Sequence, residues 1–358
     1  MSRRRLWLDP KFFIGLAVSA IFLFIAFYDI SLSPLGAQPK IDFGKMWFSI
    51  THANPVYVTA VMLQVLFMLF VRGHRWSLFL KPIQRVSWIK LGWSTCIGFA
   101  VNNLLPARLG EVARSISVSR KTKIGFGAVF GTVVVERIYD TLSLLVLFVL
   151  SLYVWEFSGP MAKLAVAVKQ EFGVNISQRL IAINLSVLVG VILATVVMLK
   201  WQTELTLRVA AFFLRVLPER WRVKVLAGLR NFIGGLTQTT NPLEVIWILF
   251  ISAALWIISA LSVWFGLVAC GLDVGATDAI FVLMSMAIAV SIPASPGYVG
   301  PYHFLGATAI TLTVGATWDQ AMGAAIVIHL ANYLPQTVSG LFALAREGLS
   351  FQEIEAAK

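Results

Sequence analysis

The stretch NNLLPARLGEVAR, residues 102–114, decides how this chain folds. It sets Pro106, Arg108, Gly110, Glu111 and Arg114 directly behind an apolar run. Proline removes a backbone donor and glycine frees the backbone, so a helix is interrupted here. The run before it, 91–106, is too short for a comfortable crossing of about 30 Å of hydrocarbon. Its flanks are both basic: Arg72, Arg75, Lys81, Arg85 and Lys90 before, Arg108, Arg114, Arg120, Lys121 and Lys123 after. A full crossing would put one of these clusters outside, against the excess of Lys and Arg in cytoplasmic loops. A hairpin that enters and leaves on the cytoplasmic side satisfies both flanks.

The rest of the chain supports a membrane setting. Of 358 residues, 58% are hydrophobic and only 13% charged, about half the charge of a soluble domain. Runs such as 12–28, 180–199 and 245–270 are long enough to span a bilayer. The net charge of +12 is spread as short basic tracts between apolar segments. That pattern fits loops against anionic lipid and excludes a nucleic-acid surface. Cys96 and Cys270 each sit in an apolar segment, giving neither a disulfide framework nor metal spacing. SRRRLWLDPKFF followed by a long apolar run reads as an uncleaved first span.

Assigning segments by charge places 23 of the 29 Lys and Arg inside and five outside, leaving Arg137 alone in the membrane. The N- and C-termini are then cytoplasmic, and the second span is read as 55–71. A basic amphipathic connector occupies 200–242, with Arg208, Arg215 and Arg222 spaced by seven. A second broken segment, 279–315, is interrupted by Pro293, Pro296, Gly297, Gly300 and Pro301, and no basic residue flanks it. It reads as re-entrant from outside. The expected fold is an all-α polytopic membrane protein, a single membrane domain over 1–358. It would have about six full spans and two re-entrant segments, arranged as inverted halves 1–155 and 180–346. Paired broken segments in inverted halves point to a transporter-type site.

The segment after the first break carries Glu136, Arg137 and Asp140 within an apolar helix. Glu136 lies roughly 20 Å along that helix from Lys123, where ionisable groups are costly. Glu136 and Asp140, four apart, share a face and repel unless a cation intervenes. Two readings stand: a structural ion network, or a polar lining for a headgroup, ion or proton. Arg108, Glu111 and Arg114, spaced by three, form either an interfacial charged cap or an arginine clamp for phosphate. Gly127 and Gly131 form a GxxxG expected to mediate close helix packing. His303 and His329 read either as titrating groups or as packed, hydrogen-bonded histidines. No P-loop, GxSxG, HExxH or dinucleotide fingerprint is present, so no catalytic residue, metal ligand or cofactor is expected.

NNLLPARLGEVAR, GTVVVERIYD and SIPASPGYVGPYHF, in this order, resemble the motif set of a flippase-like transmembrane family. That family is named after the membrane region of lysylphosphatidylglycerol synthase, and the similarity runs from about 90 to 346. The resemblance implies about eight helical membrane segments and movement of lipid between leaflets. It implies a polar core of Asn103, Pro106, Arg108, Gly110, Glu111 and Arg114. Glu136, Arg137 and Asp140 join that core, as do Pro296, Gly297 and Gly300. The resemblance is to the membrane region, so the synthase's soluble aminoacyl transfer is not expected of this chain, and His303 stands where an acid is expected.

The function expected from this is a lipid translocase, or an accessory to one, in the cytoplasmic membrane. Its substrate would be an anionic, aminoacylated, polyprenyl- or glyco-lipid. Asn103, Arg108, Glu111, Arg114, Glu136, Arg137, Asp140 and His303 would line the route, with Pro106, Gly110, Pro293, Pro296, Gly297 and Gly300 as hinges. Expected partners are membrane lipid and lipid-synthesis or glycosyltransferase enzymes, and no nucleic acid. An intramembrane transferase with Glu136 or Asp140 as base, and a non-catalytic scaffold, are the competing readings.

Overall fold

The structure, a computed structural model, describes residues 10–29, 38–39, 41–105, 109–154, 203–216, 218–223 and 241–356, with isolated positions between 166 and 226. Pro106 and Arg108, most of the span expected at 180–199 and the part of the 200–242 connector over 227–240 lie outside the described residues. Apart from a two-residue antiparallel ladder, β1 (Tyr28–Asp29) with β2 (Gln38–Pro39), the described elements are helical.

Two helices form the central pair, α3 (Pro55–Leu80) and α8 (Pro242–Ala269). Both begin with asparagine caps and a proline in the first turn, Asn54 and Pro55, Asn241 and Pro242. Both are long and apolar enough to cross a bilayer. They run antiparallel along their whole length. The Asn54 N–H donates to the Ala269 carbonyl at one end (2.8 Å), and Lys81 pairs with Glu244 at the other.

The first broken segment is a helical hairpin, α4 (Trp88–Leu104) and α5 (Gly110–Lys121). Ser94 and Ser117 hydroxyls meet at 2.6 Å, and Gly98 faces Gly110 nearer the tip. Asn102 closes the turn: its Oδ1 accepts from the Gly110 N–H at 2.7 Å. Both ends of this hairpin lie on one face of the bundle, where Lys121 pairs with Glu347 and the Arg346 guanidinium covers Trp93. The second broken segment, α9 (Ala276–Ser291) and α10 (Pro301–Val314), is likewise a hairpin. Ser285 donates to the Leu305 carbonyl (2.8 Å) and Gly306 packs on Met286. Its ends lie at the opposite face, with Ala269 and Trp318, the first residue of α11 (Trp318–Glu347).

Helix α1 (Pro10–Phe27) clamps the second tip. Ser19 Oγ donates to the Val299 carbonyl (2.6 Å) and accepts from the Ser295 N–H (2.9 Å). At Gly300, with φ +99°, a Cβ would stand 2.6 Å from the Ser19 carbonyl oxygen. Only glycine tolerates both that angle and that approach. Small residues set the other contacts too: Gly73 lies against Gly92 between α3 and α4, and Gly340 against Cys96 between α11 and α4. This is the packing expected where lipid removes any hydrophobic drive between helices.

Three expectations change. The second span does not end at residue 71, because α3 continues to Leu80 and buries Trp76, Phe79 and Leu80. Arg72 and Arg75, counted by sequence as loop residues, therefore lie within the bundle. Gly127 and Gly131, in α6 (Phe126–Val154), meet nothing within 4 Å of a built Cβ among the described residues, so their GxxxG carries no close contact there.

At the basic face, α12 (Phe351–Ala356) is tethered by Glu353, which accepts from Arg120 (2.8 Å) and from the Ser350 N–H (3.0 Å). Those bonds lower the Glu353 pKa to about 2. A carboxylate with a depressed folded-state value stabilises above its ordinary pKa of about 4.3 and loses that effect as pH falls toward 2. The protection of the 351–356 amides, relative to their intrinsic exchange rate at each pH, is therefore expected to fall between pH 5 and 3, while that of α3 holds. Unchanged protection across that range would refute the tether.

Candidate functional site

The site grows from α6. Glu136 and Asp140 lie one turn apart and point into the bundle, where three helices supply arginines. From α3, Arg75 is fully buried and bridges both acids: Nη1 to Asp140 Oδ1 at 2.5 Å and Nη2 to Glu136 Oε1 at 3.2 Å. The same Nη1 donates to Ser252 of α8 at 2.9 Å. Arg72, one turn earlier on α3, stands 3.5 Å from Asp140 Oδ2. From α5, Arg114 reaches Glu136 Oε2 at 3.1 Å, its guanidinium over the Trp76 ring at 4.7 Å. Trp76 is held in turn by a bond from its Nε1 to Thr132 (2.9 Å). Arg137 closes the network, 3.0 Å from Glu136 Oε1 and 3.4 Å from Asp140 Oδ2.

The arrangement answers the repulsion that the i, i+4 acids pose. Each carboxylate has at least three guanidinium neighbours, which makes their burial tolerable. Several guanidinium atoms remain without a hydrogen-bond partner: Arg75 Nε, Arg114 Nη2 and Arg137 Nε. Arg114, expected at the headgroup layer, is instead only 4% exposed.

Two chambers border the network, each with charged and polar side chains set in a largely apolar lining. The first, about 310 Å³, is lined by Asn102, Glu111, Arg114 and Tyr298 among others. The second, about 410 Å³, is lined by Arg72, Asp140, Trp256 and Ser259 among others. Arg137, Tyr302, Asn332 and Gln336 line both, so the chambers adjoin across the Arg137 side chain.

Above the first chamber the tips of both hairpins meet. A short 3-10 turn, Pro296–Tyr298, packs on α4, and Gly297 (φ +73°) sits against Tyr333 and the Asn103 carbonyl. The Tyr333 hydroxyl donates to that carbonyl (3.3 Å), and the Asn103 side-chain amide donates to Thr337 (3.0 Å). His303 Nδ1 accepts from the Gly300 N–H (3.4 Å), which assigns its proton to Nε2, 3.0 Å from His329 Nδ1. The two histidines are thus packed and hydrogen-bonded to each other, with Tyr302 stacked on His329 at 4.6 Å.

Of the residues expected at the site, Asn103, Glu111, Arg114, Glu136, Arg137, Asp140 and His303 are brought around these chambers. Gly110, Gly297 and Gly300 lie at the two tips, with Pro293 and Pro296 in the second. Sequence reasoning missed Arg72, Arg75, His329 as a partner of His303, and the Asn332–Gln336 face of α11. One signal was available for the first two: Arg72 and Arg75 share a helix face, and apolar WSLFL follows them.

A helical bundle in which two broken hairpins meet over buried ionised groups is the arrangement of a helical membrane protein. Residues 12–340 match the family model described as the lysylphosphatidylglycerol synthase TM region, and the chain belongs to that family of membrane proteins. A curated relative is the UPF0104 membrane protein MJ1595 of Methanocaldococcus jannaschii, 28% identical over 131 residues. That match covers 36% of this chain and 38% of the relative, well under half of either.

Proposed function

We propose that this protein moves a lipid with an anionic headgroup from one leaflet to the other. The headgroup passes through the two chambers beside Arg137 while the acyl chains stay in the bilayer. The hairpins α4–α5 and α9–α10 act as re-entrant segments from opposite faces, belonging to inverted halves 1–155 and 180–346, with both termini cytoplasmic. The observation that carries this reading is the meeting of the two tips, at Asn103 and Gly297, beside the cavity that Arg114 and Arg137 line. Glu136 and Asp140 are each engaged by arginines, which leaves neither as a free base and favours transport over an intramembrane transferase.

The test is a leaflet-accessibility assay with acyl-labelled anionic phospholipid in proteoliposomes. Arg137, 42% exposed on its side chain, is the charge most replaceable without unfolding. Arg137→Gln is expected to slow exchange by about tenfold or more, with gel-filtration behaviour unchanged. A folded Arg137→Gln protein that moves lipid at the wild-type rate overturns the assignment.

A further inference from the structure

The chambers also select the kind of headgroup, an inference that rests on the translocation reading. Four guanidiniums, Arg72, Arg75, Arg114 and Arg137, face two carboxylates, Glu136 and Asp140. Glu111, on the first chamber, is the third acid. The histidine pair adds nothing, since the Gly300 N–H and the His303–His329 bond fit one neutral tautomer each. Among the described residues one positive charge is therefore left over. Arg114, nearly buried, is among the residues lining the first chamber, and its Nη2 has no hydrogen-bond partner among the described residues. Glu136 is saturated by arginines, and the Asp140 oxygen without a hydrogen bond, Oδ2, lies 3.5 Å from Arg72 and 3.4 Å from Arg137. A cationic amine would meet surplus positive charge, whereas a single phosphodiester neutralises it.

The remaining lining is neutral and suited to hydroxyl groups. Asn102, Asn332 and Gln336 offer side-chain amides that both donate and accept. Tyr298, Tyr302 and Tyr333 give aromatic walls on the same chamber. Amides with flat apolar faces bind a ring that carries hydroxyls on its edge and C–H groups on its faces.

We infer that the substrate is a monoanionic phosphodiester lipid whose headgroup ends in an uncharged polyol or sugar, and that aminoacylated, cationic headgroups are rejected. The discriminating probes are phosphatidylinositol and lysylphosphatidylglycerol, with phosphatidylcholine as background. Binding is read by native mass spectrometry of the purified protein and movement by the proteoliposome assay.

Phosphatidylinositol is expected to be retained and moved at least about tenfold better than the lysyl lipid, the size one poorly screened charge imposes. Gln336→Glu removes the surplus charge and is expected to erase or invert that preference. Asn332→Asp serves the same purpose if the first variant does not fold. Equal or better handling of the lysyl lipid by the wild type overturns the headgroup assignment while leaving translocation standing. Selective capture of phosphatidylinositol without movement of any lipid does the reverse. Capture of neither lipid above the phosphatidylcholine background overturns the headgroup assignment, as does an unchanged preference in a folded Gln336→Glu or Asn332→Asp protein.

Discussion

Arg75→Leu is expected to cost about 3–5 kcal/mol, the penalty for breaking a buried ion pair from one side. The side chain is fully buried and touches Asp140, Glu136 and Ser252. Its removal strands Asp140 with two longer contacts, Arg72 at 3.5 Å and Arg137 at 3.4 Å. It also loosens α3 from both α6 and α8, because one guanidinium joins all three. The thermal unfolding midpoint of detergent-purified protein should fall by several degrees or more. Arg75→Leu/Asp140→Leu should recover part of the loss, since the closest pair is removed from both sides while Arg72 loses its contact with Asp140. A wild-type midpoint for the single variant, or a double variant worse than the sum of its parts, would show that the network is not what binds α3 to α6.

The second large effect is at Gly110→Ala. A Cβ there would overlap the Gly98 carbonyl oxygen of α4 and the Asn102 side chain that closes the turn. Backbone cannot yield as a flexible side chain can, so α5 must shift away from α4. The cost expected is about 1–3 kcal/mol. The functional loss should be larger than the stability loss suggests, because the same helix carries Glu111 and Arg114 to the first chamber. Lipid movement in proteoliposomes should drop by about tenfold or more, as a misplacement near 1 Å does elsewhere. Gly127→Ala is the control: its Cβ would meet nothing among the described residues. In the first turn of α6 that exchange should change stability little, by about 0.5 kcal/mol or less. If both variants behave alike, the close α4–α5 contact is not a constraint on the site.

Much of this architecture was legible because the bilayer is a severe solvent. Where a backbone group must find a partner and a charge must find a counter-charge, the exceptions in an apolar sequence are few and conspicuous. Pro106 and Gly110, then Pro293, Pro296, Gly297 and Gly300, marked two breaks that match the two hairpin turns. Glu136, Arg137 and Asp140 stood out for the same reason, and they are the side of the network that α6 contributes.

What was illegible concerns pairing. Positive-inside counting treats an arginine near the end of a span as a topology signal, and by that logic Arg72 and Arg75 fell into a loop. The acids that hold them inside are more than sixty residues away, and only the packing of α3 on α6 brings them together. His303 and His329 are separated by 26 residues and read singly as two packed histidines, which they are, but not as one hydrogen-bonded pair.

The sequence alone determined a membrane bundle, two interrupted helices and the helix that carries the buried acids, since hydropathy, proline, glycine and ionised groups act locally. Tertiary structure alone decided that the two interruptions meet, and that four arginines from three helices converge on two carboxylates. A surplus charge beside a neutral, amide-lined chamber is a property of that convergence. No single segment contains it, because each helix on its own carries only part of the balance.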